Sequence, residues 1–126
     1  MAQLQTLRLE KESVPLAKAV IHNGVAYLSG QAALDPETRR ATSPDIKEQT
    51  RETLRRLENI LKEAGTSKDK LLMVRVYLRD VANDFDAMNE VYLDWLEGHR
   101  PARTTVGAPM AINDLKVEID CMAAVD

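Results

Sequence analysis

Cysteine, aromatic residues and long apolar runs are scarce in this chain of 126 residues. Cys121 is its only cysteine, so no disulfide can form within the chain, and this favours a reducing compartment such as the cytoplasm. No apolar run reaches membrane-spanning length, and the first six residues lack the apolar centre of a secretory signal. No phosphate-binding loop, dinucleotide fingerprint or Cys/His metal-ligand spacing occurs. These absences exclude the common membrane-spanning, nucleotide-binding and zinc-binding classes.

An excess of basic charge is also missing. Lys and Arg number 17 against 20 Asp and Glu, so the net charge is −3, whereas phosphate binding needs clustered cations. The basic clusters are Arg39-Arg40 and Arg51 with Arg55-Arg56, and helix-surface ion pairs account for the second. Nucleic acid is therefore not an expected partner. With 44% hydrophobic residues, the chain is predicted to fold as one domain, residues 1–126.

Turn and cap residues mark the first elements. Asn23-Gly24 stands between the apolar runs 18–22 and 25–29, and this predicts a hairpin, since both turn positions need positive φ. A helix over 44–64 is predicted, with Ser43 as N-cap, Pro44 at its first position and Gly65 past its end. A weaker strand is expected near residues 6–9.

The second half of the chain reads as strand, helix, strand, strand. Residues 71–79 alternate, with Leu72 and the apolar residues at 74, 76 and 78 on a core face. Asn83 or Asp84 caps the next helix, which Gly98 ends. The last strands are residues 103–108 and 115–125. We expect a mixed sheet of about six strands with two helices on one face, and contact between copies of the chain on the other face.

The last two strands carry the residues best suited to chemistry. If they pair as a hairpin, Arg103 and Thr105 share a face with Glu118 and Asp120. In a functional interpretation, Arg103 clamps a carboxylate and Glu118 positions a water molecule. In a structural interpretation, Arg103 and Asp120 form a cross-strand ion pair at a subunit contact, and the residues alone favour this second alternative.

The other polar candidates each have two interpretations. Asn89 lies on or beside the apolar stripe of the second helix, where it binds a ligand or ties the helix to a loop. Gly30 either lets a ligand approach the backbone or simply ends a strand. His22 and His99 are expected at the surface, and Cys121 is expected in the core as a small hydrophobe.

Four segments of this sequence resemble the reactive intermediate deaminase family (Rid, or YjgF-type). They are Tyr27-Leu28-Ser29-Gly30-Gln31, Asp84-Phe85-Asp86-Ala87-Met88-Asn89, Arg100-Pro101-Ala102-Arg103-Thr104-Thr105-Val106 and Lys116-Val117-Glu118-Ile119. The resemblance implies an α+β, chorismate-mutase-like fold and a homotrimer with sites between subunits. It also implies metabolite damage control: hydrolysis of enamines and imines, such as 2-aminoacrylate, to 2-oxo acids and ammonia, with no metal and no cofactor.

The resemblance also assigns roles to individual residues. Arg103 matches the arginine that holds the substrate carboxylate, and Glu118 matches the glutamate that orients the attacking water. Gly30 and Asn89 match a pocket glycine and asparagine. Thr105 stands where the family often has cysteine, and its hydroxyl can still bind a ligand carboxylate. The family's N-terminal pocket tyrosine falls near Leu16, so that hydroxyl is absent.

Three functions follow as expectations. The first is a hydrolase of C–N bonds that resembles 2-iminobutanoate/2-iminopropanoate deaminases. The second is a non-catalytic homotrimer that binds 2-oxo acids through Arg103. The third is an interaction with RNA or protein, of which the acidic charge balance weakens the RNA version.

Overall fold

The computed structural model describes residues 3–11 and 13–126, and these ranges contain eight strands and two α-helices. The strands are β1 (Gln5–Arg8), β2 (Ala17–His22), β3 (Val25–Gln31), β4 (Leu34–Asp35), β5 (Arg40–Ala41), β6 (Leu71–Leu78), β7 (Ala102–Gly107) and β8 (Val117–Ala124). The helices are α1 (Ile46–Glu63) and α2 (Val81–Leu96), and a short 3-10 helix, Lys68–Lys70, precedes β6. Neither α-helix is long and apolar enough to cross a membrane.

Six strands form one mixed sheet in the order β1-β2-β3-β8-β6-β7, and β4 and β5 form a separate ribbon. Only the pair β6 and β7 within this sheet is parallel, and α2 is the crossover that a parallel pair requires. Both helices pack on one face of the sheet and share a single core with it. The α+β architecture predicted from the sequence, six strands with two helices on one face, is confirmed.

The first hairpin and the first helix follow their sequence signals. Asn23 and Gly24 have φ of 50° and 77°, as the predicted two-residue turn requires. Gly65, just past α1, has φ of 81°. The N-cap of α1 is Asp45, whose carboxylate accepts from the Glu48 amide, so the prediction of Ser43 was wrong. A carboxylate binds an amide at the positive helix end better than a neutral hydroxyl does.

Two further boundaries differ from the sequence prediction. Asp80 caps α2 through the Asn83 amide, so the helix begins earlier than a cap at Asn83 or Asp84 would allow. Leu72 is 47% exposed and does not share the core face of β6. The register between β6 and β8 shifts between Leu71 and Met73, and this bulge turns Leu72 away from the core.

The predicted hairpin between the last two strands is wrong. β7 pairs with β6 alone, at the edge of the sheet, while β8 lies between β3 and β6. The crossover through α2 delivers β7 to the outer side of β6. β8 takes a central position because its alternate residues Val117, Ile119, Cys121 and Ala123 are all apolar and are buried under the helices.

A buried glutamine that the sequence did not single out joins α1 to the loop before β8. Gln49 is fully buried, and its Nε2 donates to the carbonyls of Ser43 at 2.8 Å and Asp114 at 2.9 Å. Its Oε1 accepts from the Lys116 amide at 2.8 Å. These three bonds use both N–H groups of the side-chain amide and one lone pair of its oxygen. They fix where β8 enters the sheet.

Replacing Gln49 with leucine is expected to destabilise the fold by about 2 kcal/mol, because a side chain of similar size leaves buried backbone groups without partners. Urea denaturation of Gln49→Leu measures this change in the free energy of unfolding. Gln5→Leu is the control, since Gln5 is exposed on β1. Equal stability of the two variants would contradict the role of Gln49.

Candidate active site

Arg103 lies on β7, on the face of the sheet that α2 covers. Its Nη1 donates to Oδ1 of Asn89 at 2.6 Å. The guanidinium carbon lies 4.8 Å from the ring centroid of Tyr92 and 5.8 Å from that of Phe85. Both ring faces attract the cation. Asn89 is neutral and does not offset the charge of Arg103, and a guanidinium that uses one of its five N–H donors on Asn89 has others to offer a planar carboxylate.

The two aromatic contacts of Arg103 were missed at the sequence level. Neither Phe85 nor Tyr92 was predicted for the site. The signal was their spacing with Asn89, since residues 85, 89 and 92 recur at four and three and so share one side of a helix. The amide and the rings therefore reach the same side chain.

Thr105 lies two residues after Arg103 and on the same face of β7, where it pairs with Val76 in the parallel register. Its Oγ1 is buried and has no hydrogen-bond partner among residues 3–11 and 13–126. A buried hydroxyl without a partner is costly. The Thr105 hydroxyl can donate a hydrogen bond to a ligand carboxylate that Arg103 binds.

Glu118 and Gly30 lie together on the opposite face, the one that no helix covers. Glu118 is half-buried on β8, and Gly30 is on β3, next to it. A Cβ at Gly30 would lie 2.5 Å from Oε2 of Glu118. Only glycine leaves the carboxylate in this position. The structure thus brings together two residues that were predicted for the site.

The surroundings of Glu118 favour a role for its carboxylate as a general base. Burial raises the pKa of Glu118, and the neighbouring charge of Asp120 raises it further. No hydrogen bond to the Glu118 carboxylate is formed within the described part of the chain. A carboxylate with a raised pKa accepts a proton more readily, which suits it to activate water.

Asp120 has a different role from the one predicted for it. Its carboxylate accepts from Nε of Arg75 at 2.7 Å and from the Tyr77 hydroxyl at 3.2 Å. The predicted ion pair between Arg103 and Asp120 is not formed, because the two side chains lie on opposite faces of the sheet. Asp120 forms an ion pair with Arg75. Of these two neighbouring carboxylates, Glu118 is therefore the one without a cation beside it.

The candidate residues therefore form two groups within one chain. Arg103, Asn89 and Thr105 lie on the helix-covered face, and Glu118 and Gly30 lie on the uncovered face. The prediction that Arg103 and Thr105 share a face with Glu118 and Asp120 was wrong. Two groups separated by the sheet backbone cannot bind one small molecule within a single chain.

Two cavities lie outside these groups. A groove of about 880 Å³ runs along the outer side of α1 and α2 and is lined by Arg51, Leu54, Arg55, Glu58, Glu90, Val91, Leu93, Asp94, Trp95, Glu97 and Arg100. None of these was predicted for the site. A smaller cavity of about 210 Å³ is lined by Thr6, Arg8, Leu9, Lys11, Val14, Leu16 and Ala17. It contains Leu16, the position at which the resemblance placed a pocket tyrosine.

The remaining cysteine and histidine candidates do not form a site. Cys121 is 3% exposed, and burial raises the pKa of its thiol to about 12, so the prediction of a core residue is confirmed. His22 and His99 are half-buried instead of lying at the surface, and Nε2 of His99 lies 2.8 Å from the Leu71 carbonyl oxygen. Across residues 3–11 and 13–126, no three His, Cys, Asp or Glu side chains converge as metal ligands would.

The arginines of the basic cluster on α1 form ion pairs within the helix, as predicted. Arg51 pairs with Glu48, and both Arg55 and Arg56 pair with Glu52. The hydrogen bond from Arg55, followed by that from Arg56, lowers the pKa of Glu52 to about 2 although partial burial opposes the shift. These arginines therefore do not present a phosphate-binding surface of their own.

Comparison with known proteins agrees with this architecture. The family model described as Endoribonuclease L-PSP matches residues 9–125. Protein mmf2, mitochondrial, of Schizosaccharomyces pombe is 42% identical over 113 residues, which are 87% of each chain. Reactive Intermediate Deaminase A, chloroplastic, of Arabidopsis thaliana is 32% identical over 109 residues, 86% of this chain and 58% of that one.

Solved structures show the same fold. A crystal structure of a putative endoribonuclease L-PSP from Entamoeba histolytica is 31% identical with a TM-score of 0.85, covering 98% of this chain and 100% of that one. A YjgF family member from Neisseria meningitidis is 29% identical with a TM-score of 0.84, covering 98% and 96%. The fold class is thus α+β, with two helices packed on a six-stranded mixed sheet. The chain belongs to the YjgF/Rid family, which the L-PSP family model describes.

The raised pKa of Glu118 predicts how stability depends on pH. An acid whose pKa is higher in the folded state than in the unfolded state destabilises the fold once pH exceeds both values, and has no effect below both. Glu118→Gln is therefore expected to be more stable than wild type at pH 7, with an advantage that disappears as pH falls below the usual pKa of glutamate. Urea denaturation at several pH values measures this.

The matched control is Glu37→Gln, because Glu37 is exposed in the turn between β4 and β5. It should leave the pH dependence unchanged. A Glu118→Gln variant that is less stable than wild type at pH 7 would show that the Glu118 charge is favourable in the fold.

Proposed function

We propose that this protein is a hydrolase of C–N bonds that converts small enamines and imines of 2-amino acids, of the 2-iminobutanoate and 2-iminopropanoate class, to 2-oxo acids and ammonia. The observation that carries the proposal is the separation of Arg103 from Glu118 on opposite faces of one sheet. Each has the chemistry that such a reaction needs, and a second copy of the chain can bring them together. A relative named Reactive Intermediate Deaminase A supports the reaction class.

An apolar row on the uncovered face supports assembly of copies into a homotrimer. Val20, Tyr27, Met122 and Met73 are successive cross-strand neighbours on β2, β3, β8 and β6. Tyr27 is 47% exposed in the single chain. A continuous apolar row beside charged residues is typical of a protein interface. In a closed ring, the β7 edge of one copy meets this face of the next, and each crevice holds one Arg103 and one Glu118.

Substrate binding in this crevice follows from the donors of Arg103 and Thr105. The guanidinium binds the substrate carboxylate through parallel N–H donors, in the geometry that suits two coplanar oxygens. The Thr105 hydroxyl donates a further hydrogen bond, which satisfies its buried oxygen. Oδ1 of Asn89 accepts a hydrogen bond from Nη1 of Arg103 at 2.6 Å and so fixes the plane of the guanidinium. The imine carbon, next to the carboxylate, then faces Glu118 of the neighbouring copy.

Glu118 supplies the proton transfers. An enamine first takes a proton at its terminal carbon and loses one from its nitrogen, and so becomes an imine. Glu118 then accepts a proton from water as the water oxygen bonds to the imine carbon and the C=N electron pair moves to nitrogen. The nitrogen takes up that proton, and the remaining hydroxyl proton passes to the nitrogen as the carbonyl forms and the C–N bond breaks, so that ammonia leaves. The sum is imine plus water to 2-oxo acid plus ammonia.

A non-catalytic 2-oxo acid binding protein is the second candidate. Arg103, Asn89 and Thr105 lie on one face of one chain and can hold a carboxylate without Glu118. We expect no RNA partner, because the net charge is −3 and the arginines of α1 are paired. We expect the cytoplasm as the compartment, although two relatives are named mitochondrial and chloroplastic.

Substitution of Arg103 tests the proposed reaction directly. Amino-acid oxidase generates 2-iminopropanoate from alanine, and semicarbazide traps the imine that remains. Wild type should lower semicarbazone formation, and Arg103→Ala should reduce kcat/KM roughly 100-fold, as loss of a charge-assisted hydrogen-bonded pair worth about 2–3 kcal/mol predicts. Arg51→Ala is the control, because Arg51 is paired on the outer side of α1.

Two results would replace the proposal. Wild type that does not accelerate imine loss, yet binds 2-oxobutanoate in an Arg103-dependent way, is a binding protein. Salt-dependent retardation of RNA by wild type would point to the nucleic-acid role.

A further inference from the structure

We propose that Tyr92 is a positioning residue for Arg103, and that the face of its ring, not its hydroxyl, sets how tightly the protein binds the substrate carboxylate. The proposal rests on the proposed function and adds a residue to its carboxylate site. It comes from the position of the Tyr92 ring in the core. The Arg103 guanidinium lies over this ring, with 4.8 Å between the guanidinium carbon and the ring centroid.

The Tyr92 ring is a fixed support. Tyr92 is 5% exposed and belongs to the core that α2 shares with the sheet, where its ring centroid is 6.4 Å from that of Trp95. A ring enclosed in a close-packed core is held in one position. Arg103 is half-buried on the edge strand β7, and its long side chain loses conformational freedom when a ligand orders it. A support that orders the guanidinium before the ligand arrives reduces that loss.

The contacts from α2 hold Arg103 through neutral groups. Asn89 accepts a hydrogen bond from Nη1 at 2.6 Å, and the guanidinium lies over the rings of Tyr92 and Phe85. Phe85 is the weaker ring, because its centroid is 5.8 Å from the guanidinium carbon and it is only partly buried. A ring face attracts a cation without offsetting its charge, whereas a carboxylate would offset it. The substrate carboxylate therefore meets a guanidinium that is held in place and still attracts an anion.

The Tyr92 hydroxyl has no comparable role. Its oxygen is buried and has no hydrogen-bond partner in the described part of the chain. Burial raises the pKa of Tyr92, although the charge of Arg103 opposes the shift, so the phenol is neutral near pH 7. A buried hydroxyl without a partner destabilises a fold. The ring face is thus the part of Tyr92 to which the positioning role is assigned.

The experiment changes the charge of the ring face while its shape is kept. Tyr92→Phe retains an electron-rich face, whereas replacement of Tyr92 by pentafluorophenylalanine gives a ring of similar shape whose face repels cations. Calorimetry measures the Kd of 2-oxobutanoate for both variants and for wild type. Tyr92→Phe should bind within about twofold of wild type, and the fluorinated variant roughly tenfold more weakly. In the imine assay, KM should rise by a similar factor with kcat little changed, because the carboxylate contact acts in substrate and transition state alike.

The matched control is Trp95, which lies on the same helix and also has a cation over its ring, the Lys68 ammonium at 5.4 Å from the centroid. Trp95→Phe and replacement of Trp95 by pentafluorophenylalanine should give equal Kd values for 2-oxobutanoate. Equal Kd values for the two Tyr92 variants overturn the inference. If both match wild type, the ring merely fills the core, and if both are weaker, the role belongs to the hydroxyl.

A measurement without ligand separates this inference from the proposed function. Urea denaturation compares Tyr92→Phe with the fluorinated variant, once with Arg103 present and once in combination with Arg103→Met. Fluorination should lower the free energy of unfolding more when Arg103 is present. An equal effect in both backgrounds overturns the inference even if the imine is hydrolysed. A wild type that neither hydrolyses the imine nor binds 2-oxobutanoate is a failure of the proposed function, and the denaturation comparison then decides whether the ring supports Arg103.

Discussion

The alternation of side chains along a β-strand is the constraint on which the site depends. Odd-numbered residues of β8 are buried under the helices, so Glu118 must project from the other face. Arg103 pairs with buried Val74 in the parallel register of β6 and β7, so it must project beneath α2. No rotamer changes the face on which either side chain begins. The two groups can cooperate only across a contact between copies.

Charge pairing within the chain leaves these two side chains with capacity for a ligand. Asp120 is matched by Arg75 and Tyr77, and the helix arginines are matched by glutamates. Arg103 instead has a neutral amide and two aromatic rings as partners. An arginine paired with a carboxylate would bind a second carboxylate weakly. The partition of partners thus favours an anion at Arg103 and a proton acceptor at Glu118.

Local periodicity was sufficient to predict much of the fold, but not the order of the strands. The Asn23-Gly24 turn and the apolar spacing of α1 predicted their elements because local residues determine them. The neighbour of β7 depends on where the α2 crossover ends, which no short pattern encodes. A hairpin was therefore assumed, and Arg103 was placed on the wrong face. Gln49 was missed for the same reason, since Asp114 and Lys116, which form two of its three hydrogen bonds, are distant in sequence.

Complementation between subunits tests the central claim, a site shared by two copies. Arg103→Ala and Glu118→Gln variants, each inactive alone, are unfolded, mixed in equal amounts and refolded, with exchange verified by native mass spectrometry. Random assembly into a ring should give about a quarter of the sites both an intact Arg103 and an intact Glu118, and a matching share of wild-type activity. Mixed oligomers that remain inactive, or a monomeric wild type that hydrolyses the imine, would contradict the shared site.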